Sequence, residues 1–110
     1  MTSYGYTLSS EERGPRDLVQ AARRAEEVGF DFCSISDHFH PWIDAQGHSP
    51  FVWGVLGAVA EATSTIEVGI GVTCPTVRIH PAVIAQAAAR GLGPGVPRRR
   101  LRPPLLPPDR

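Results

Sequence analysis

The sequence has no lysine: all eleven of its basic residues are arginine. With Ala, Gly and Pro abundant, that bias marks a GC-rich coding sequence. Cysteine is scarce too, and Cys33 and Cys74 are too few for a disulfide framework, which fits reduced thiols in a cytoplasm. Long apolar runs are missing. The longest, Phe51 to Ala60, has ten residues where a spanning helix needs about 20, so no membrane span is expected. The opening Met1-Thr2-Ser3-Tyr4-Gly5-Tyr6 lacks the basic-then-apolar layout of a signal peptide, and the expected location is cytoplasmic. Net charge is also absent, at +0 with a pI of about 6.9, so the total favours neither nucleic acid nor an anionic membrane as partner.

What is present is 110 residues, 42% of them apolar, enough for one core and no more. The zero net charge hides a split. Residues 1–89 hold five Arg against ten Asp and Glu, whereas residues 90–110 hold six Arg and one Asp. The second stretch, RGLGPGVPRRRLRPPLLPPDR, carries six Pro and three Gly in twenty-one residues. Proline at that density removes backbone donors and blocks both helix and sheet, so this stretch reads as a disordered Arg/Pro-rich tail. GC-rich DNA translated out of frame yields the same composition, and both origins stay open. Arg98-Arg99-Arg100 lacks the interleaved aromatics of a base-stacking surface.

Within residues 1–89 the pattern alternates. Tyr4 to Leu8 reads as a strand. After Gly14-Pro15, the residues Leu18, Ala21, Ala22, Ala25 and Val28 recur at helical spacing until Gly29 offers a stop. Phe30 to Ser36 is apolar without helical period and reads as a buried strand. Ser49-Pro50 looks like a cap followed by a first-turn proline, predicting an unusually apolar helix to about Thr63. Ile66 to Val72 reads as a third strand, and His80-Pro81 opens a third helix to about Ala89. Parallel strands need helical crossovers, so βαβαβα predicts a parallel α/β sheet.

In such sheets ligands bind beyond the C-terminal ends of the strands. There the loop Ser36-Asp37-His38-Phe39-His40-Pro41-Trp42 gathers a carboxylate, two imidazoles and an indole. Imidazole can take or give a proton near neutral pH, and Asp and Trp can hold a small molecule by hydrogen bond and stacking. A purely structural role is open as well, with Asp37 capping backbone, Trp42 plugging the sheet end and the histidines solvated. A third alternative is a metal-dependent hydrolase, because His38 and His40 form an H-x-H pair with Asp37, Asp44 and His48 nearby. After the third strand, Gly69-Ile70-Gly71-Val72-Thr73-Cys74-Pro75-Thr76 can bring backbone close to a flat ligand, but it is not a dinucleotide fingerprint.

The segments GYTLSSEE, RRAEEVGFDFCSISDHFHPW, GHSPFVW, IEVGIGVTCPT and RIHPAVIAQAAA, in this order, resemble the coenzyme F420-dependent glucose-6-phosphate dehydrogenase family of the luciferase-like monooxygenase superfamily. The resemblance covers about residues 4 to 89. It implies an α/β fold consisting of the first three βα units of a (β/α)8 TIM barrel, residues 1–89, followed by the tail at 90–110. It also implies an oxidoreductase that passes hydride from an alcohol or sugar hydroxyl to the deazaflavin coenzyme F420. His38 becomes the general base, Trp42 a substrate-positioning residue, and Asp37, Gly71, Val72 and Cys74 cofactor contacts, with a non-prolyl cis peptide at Gly71–Val72. No metal is implied. The family's Gly-Thr-Gly-Glu strand, carrying its proposed acid, does not follow the third helix. Three βα units cannot close an eight-stranded barrel, so the chain alone is expected to be inactive. Its open sheet edges would then leave homo-oligomeric association, or a non-catalytic fragment, as further expectations.

Overall fold

A computed structural model describes residues 1–74 and 77–90 of the chain. The tail expected to be disordered lies outside the described residues, apart from the backbone of Arg90. Six elements follow in the expected order: β1 (Gly5–Leu8), α1 (Pro15–Glu27), β2 (Phe32–Ile35), α2 (Val52–Ala62), β3 (Glu67–Ile70) and α3 (Pro81–Arg90). The strands form one parallel sheet in the order β1-β2-β3, with Leu8, Ile35 and Ile70 side by side at its C-terminal end. Three parallel strands with helical returns are the arrangement expected of the first βα units of an α/β barrel.

Each strand alternates faces, as a pleated chain must. Leu8, Cys33, Ile35, Val68 and Ile70 are buried against Leu18, Ala22 and Ala25 of α1 and Val52, Val55, Leu56 and Val59 of α2. Full burial of each large aliphatic side chain contributes about 1.5–3 kcal/mol, so this one cluster dominates stability. The opposite face carries Thr7, Ser34 and Gly69 in register. At its other end Phe32 lies across Gly5, where an added Cβ would meet the ring at 2.2 Å.

The strands are shorter than the apolar runs that suggested them. Residues 30, 31, 36 and 66 flank the ladder without extending it, and the third run turns away at Gly71. The second helix corrects a sharper expectation. It starts at Val52 with Phe51 as N-cap, not at Ser49-Pro50, because the Ser49 hydroxyl donates to the His38 carbonyl and so ties down the preceding loop. Helix α1 begins at Pro15 as expected and ends at Glu27 with Val28 as its C-cap, beyond which Gly29 adopts φ +92°. The Gly29 N–H then donates to Glu26 and the Phe30 N–H to Ala25, satisfying carbonyls at the helix end.

Glu26, on the last turn of α1, holds the turn into β3. Its carboxylate accepts the backbone N–H groups of Ser64 at 2.9 Å, Thr65 at 2.6 Å and Ile66 at 2.8 Å, and the Thr65 hydroxyl at 3.2 Å. Burial alone would raise its pKa. The four donors outweigh that and hold the carboxyl down at about 2, against an ordinary 4.5.

A folded-state pKa below the unfolded one gives stability that is present above pH 4.5 and lost as the pH falls towards about 2. Urea midpoints should therefore fall over that window in the natural chain and fall less in Glu26→Gln, which should cost about 1–2 kcal/mol at neutral pH. At Gly29 nothing lies within 4 Å of an added Cβ, so Gly29→Ala should cost about 1–2 kcal/mol through its positive φ alone.

Candidate functional site

Three loops leave the C-terminal end of the sheet: residues 9–14 after β1, 36–51 after β2 and, among the described residues, 71–74 and 77–80 after β3. Parallel pairing puts them on one rim. The loop after β1 brings Glu11 against His38, with Oε1 3.1 Å from Nε2 and side chains 7% and 34% exposed. The other carboxylate oxygen, Oε2, accepts the Ser36 hydroxyl at 2.9 Å and the Ser9 hydroxyl at 3.3 Å. Ser10 joins the same cluster, since its hydroxyl donates to the Ser36 carbonyl at 2.8 Å and its N–H to the Ser36 hydroxyl oxygen at 3.3 Å. Oε1 is buried and has no aligned hydrogen bond. His38 Nε2 is close enough to supply one through a small rotation of the ring.

Trp42 packs edge-on to His38 with ring centroids 5.0 Å apart and is 74% exposed. It therefore does not plug the sheet. The backbone N–H groups of Trp42 and Ile43 both donate to the Gln46 side chain, which shapes the loop around the indole. His40 is exposed and its Nδ1 lies 3.0 Å from the Pro41 carbonyl oxygen, so the two histidines of the H-x-H pair face different partners. Among the described residues no three His, Cys, Asp or Glu side chains converge as a metal-ligand set.

Asp37 forms a buried ion pair of its own. Its side chain is 3% exposed, with Oδ1 on the Arg78 guanidinium and Oδ2 accepting the Thr73 hydroxyl at 2.6 Å. Both partners belong to the loop after β3, which Asp37 thereby draws against the end of β2. In that loop the Gly71–Val72 peptide is cis, at the bond the resemblance indicated. A Cβ on Gly71 would stand 2.9 Å from the Ser34 hydroxyl oxygen. Val72, at 61% exposure, and Cys74 open to solvent beside it. The second cysteine is of another kind: burial, and then the negative charge of Glu26, push the Cys33 thiol up to about 11 and leave it unreactive.

Sequence reasoning singled out His38, Trp42, Asp37, Gly71, Val72 and Cys74, and all lie on this one rim. It passed over Glu11, Ser36 and Arg78. Glu11 did carry a signal, being a carboxylate in the loop directly after a strand's C-terminal end. Arg78 carried none, because an arginine between a strand and a helix is ordinary surface sequence.

The profile of the luciferase-like monooxygenase family, "Bac_luciferase", matches residues 2–90. The chain belongs to that family. Among curated luciferase-like relatives, the F420-dependent glucose-6-phosphate dehydrogenase of Amycolatopsis mediterranei is 52% identical over 89 residues, covering 81% of this chain and 27% of the relative. The enzyme of the same name from Kribbella flavida is 52% identical over 85 residues, covering 77% and 25%. An F420-dependent secondary alcohol dehydrogenase, solved in complex with an F420-acetone adduct, superposes with a TM-score of 0.80 at 38% identity over 91% of this chain and 30% of that one. The coenzyme F420-dependent tetrahydromethanopterin reductase from Methanopyrus kandleri gives 0.68 at 30% identity, over 81% and 23%. The luciferase-like chain described here thus spans about a quarter of the length of the curated relatives it matches.

Removing Arg78 strands the Asp37 carboxylate in a buried site. Arg78→Ala should cost about 2–3 kcal/mol in a urea titration, less than for a fully enclosed pair because the Arg78 side chain keeps 28% exposure. Replacing both partners, Asp37→Asn with Arg78→Met, should cost less than Arg78→Ala alone.

Proposed function

We propose that this chain carries the β1–β3 share of the active site of an F420-dependent oxidoreductase acting on the hydroxyl of an alcohol or a sugar. The observation that carries the reading is the buried Glu11 carboxylate set against His38 beneath the exposed Trp42 ring, on the same rim as the open Gly71–Cys74 strand end. The names of the relatives and structural neighbours support the choice of cofactor.

The residues present suit a flat ring. Gly71 brings bare backbone to the rim where Ser34 leaves no room for a side chain, and the exposed Val72 offers apolar surface for a ring to cover. Gly71, Val72 and Cys74 are the contacts proposed along it. Asp37 has both oxygens engaged, so it meets the cofactor edge by exchanging Thr73 or Arg78 for it. When bound, the deazaflavin supplies the acceptor for the substrate's hydride. His38 takes the hydroxyl proton as the carbon–oxygen bond becomes a carbonyl, so hydride and proton leave together and charge balances. Glu11 stabilises the imidazolium that results, as a buried carboxylate does beside a histidine base. Trp42 covers the substrate and limits water at His38. Three strands leave such a site open at both sides, so binding and positioning, not turnover, are assigned to this chain by itself. The outer edges of β1 and β3, which no further strand joins among the described residues, are where further strands or a second copy would join.

Titrating the 110-residue chain into coenzyme F420 should quench or shift the deazaflavin fluorescence saturably. An unchanged signal at high protein concentration would sink the reading. His38→Ala should alter Kd by less than about tenfold, or about 1.4 kcal/mol, since a base contributes to the reaction more than to binding. Gly71→Val should weaken binding by more than that, because the close approach to Ser34 is then filled.

A further inference from the structure

We propose that Ser36 is a positioning residue for His38: its hydroxyl proton occupies Glu11 Oε2, which leaves Oε1 for an N–H on His38 Nε2 and presents Nδ1 as the ring's proton-accepting nitrogen. The proposal rests on the reading of His38 as a proton acceptor and specifies which atom accepts.

The argument is a count of protons. A serine hydroxyl has one to give, an ionised carboxylate has none, and a neutral imidazole has one on either of two nitrogens. Ser10 Oγ lies 2.8 Å from the Ser36 carbonyl oxygen and 2.9 Å from Ser36 Oγ, so its single proton serves both oxygens. The Ser10 N–H also donates to Ser36 Oγ. Towards Ser10, therefore, Ser36 Oγ is an acceptor, and its own proton is left for Glu11 Oε2 at 2.9 Å. Ser9 adds a second, longer donation to that oxygen. Oε1 is buried with no aligned donor, and Nε2 of His38 stands 3.1 Å away. A bare Nε2 lone pair there would face carboxylate lone pairs across a buried gap, which is unfavourable, whereas an N–H there satisfies the orphaned oxygen. The neutral ring thus carries its proton on Nε2, and the nitrogen left to take a proton is Nδ1. Ser10 donates to Ser36 and Ser36 to Glu11 Oε2, and from the other side the partly exposed imidazole donates its Nε2–H to Oε1.

The test reads the tautomer directly, without cofactor or substrate. Long-range proton–nitrogen correlation spectra of the 15N-labelled 110-residue chain, at a pH where the ring is neutral, should show His38 Nε2 as the protonated, pyrrole-type nitrogen and Nδ1 as the pyridine-type one. Ser36→Ala should move both His38 nitrogens towards averaged positions as the carboxylate loses its anchor. Ser36→Thr keeps a hydroxyl and should restore the natural pattern, which a merely space-filling role would not require. A His38 ring protonated on Nδ1 in the natural chain overturns the proposal whatever the variants show, and so does an Ala variant that folds with its tautomer unchanged. If the Ala variant loses its dispersed amide spectrum, the natural chain and the Thr variant still decide. A failed F420 titration would leave the tautomer result standing, so the proposal and the reading it rests on fail separately.

Discussion

Parallel pairing in strict register is the constraint from which the rest follows. Gly5, Phe32 and Glu67 are aligned at one end of three four-residue strands and Leu8, Ile35 and Ile70 at the other. All three strands therefore release their chains at one rim, and the returns from β1 to β2 and from β2 to β3 run through α1 and α2 on the apolar face. That geometry makes neighbours of loops far apart in sequence. It also divides labour between the two faces: one is filled by aliphatic side chains from α1 and α2, and the other carries Thr7, Ser34 and Gly69. Shifting one strand by a residue would exchange the faces and disperse the rim.

On this frame the long-range polar order is set by carboxylates. Glu26 gathers three successive N–H groups at the start of β3, Glu11 links the β1 loop to the end of β2, and Asp37 draws the β3 loop to the same place. Each carboxylate sits on one segment and ties down a different one: Glu26 of α1 the turn into β3, Glu11 of the β1 loop the end of β2, and Asp37 of the β2 loop the loop after β3. Their worth lies in burial and multiple donors. The exposed Arg24–Glu27 pair, one turn apart on α1, adds at most a few tenths of a kcal/mol (~0.3–0.5) by comparison. Two of these ties meet at the candidate site, so the groups that shape the fold there also set the imidazole and the strand-end loop. A luciferase-like barrel built this way can vary its chemistry through the loops while the sheet stays unchanged.

Much of this was legible in the chain itself. Helix α1 declared itself through its apolar period, its opening proline and the glycine beyond its end, all consequences of local backbone geometry. The strands declared themselves as short apolar runs between turn residues, though their ends did not, because a run of apolar side chains continues past the last paired residue. Ser49-Pro50 misled for a related reason. A serine before a proline is a helix start only if its hydroxyl is not needed elsewhere, and here the His38 carbonyl takes it. The site loop was visible as a concentration of titratable and aromatic residues after a strand, and its neighbour after β3 as glycines at a strand end.

The pairings inside the site were not visible. Ser36 reaches Glu11 across 25 residues of sequence and Arg78 reaches Asp37 across 41, and no local pattern encodes either. Short-range preferences for helix, strand and turn act within a few residues, so the amino-acid order by itself determined the succession of elements, the buried face and the stretches where chemistry could lie. Which carboxylate meets which histidine or arginine depends on where the strands end relative to one another. That is a property of the assembled sheet, and only the tertiary structure decided it.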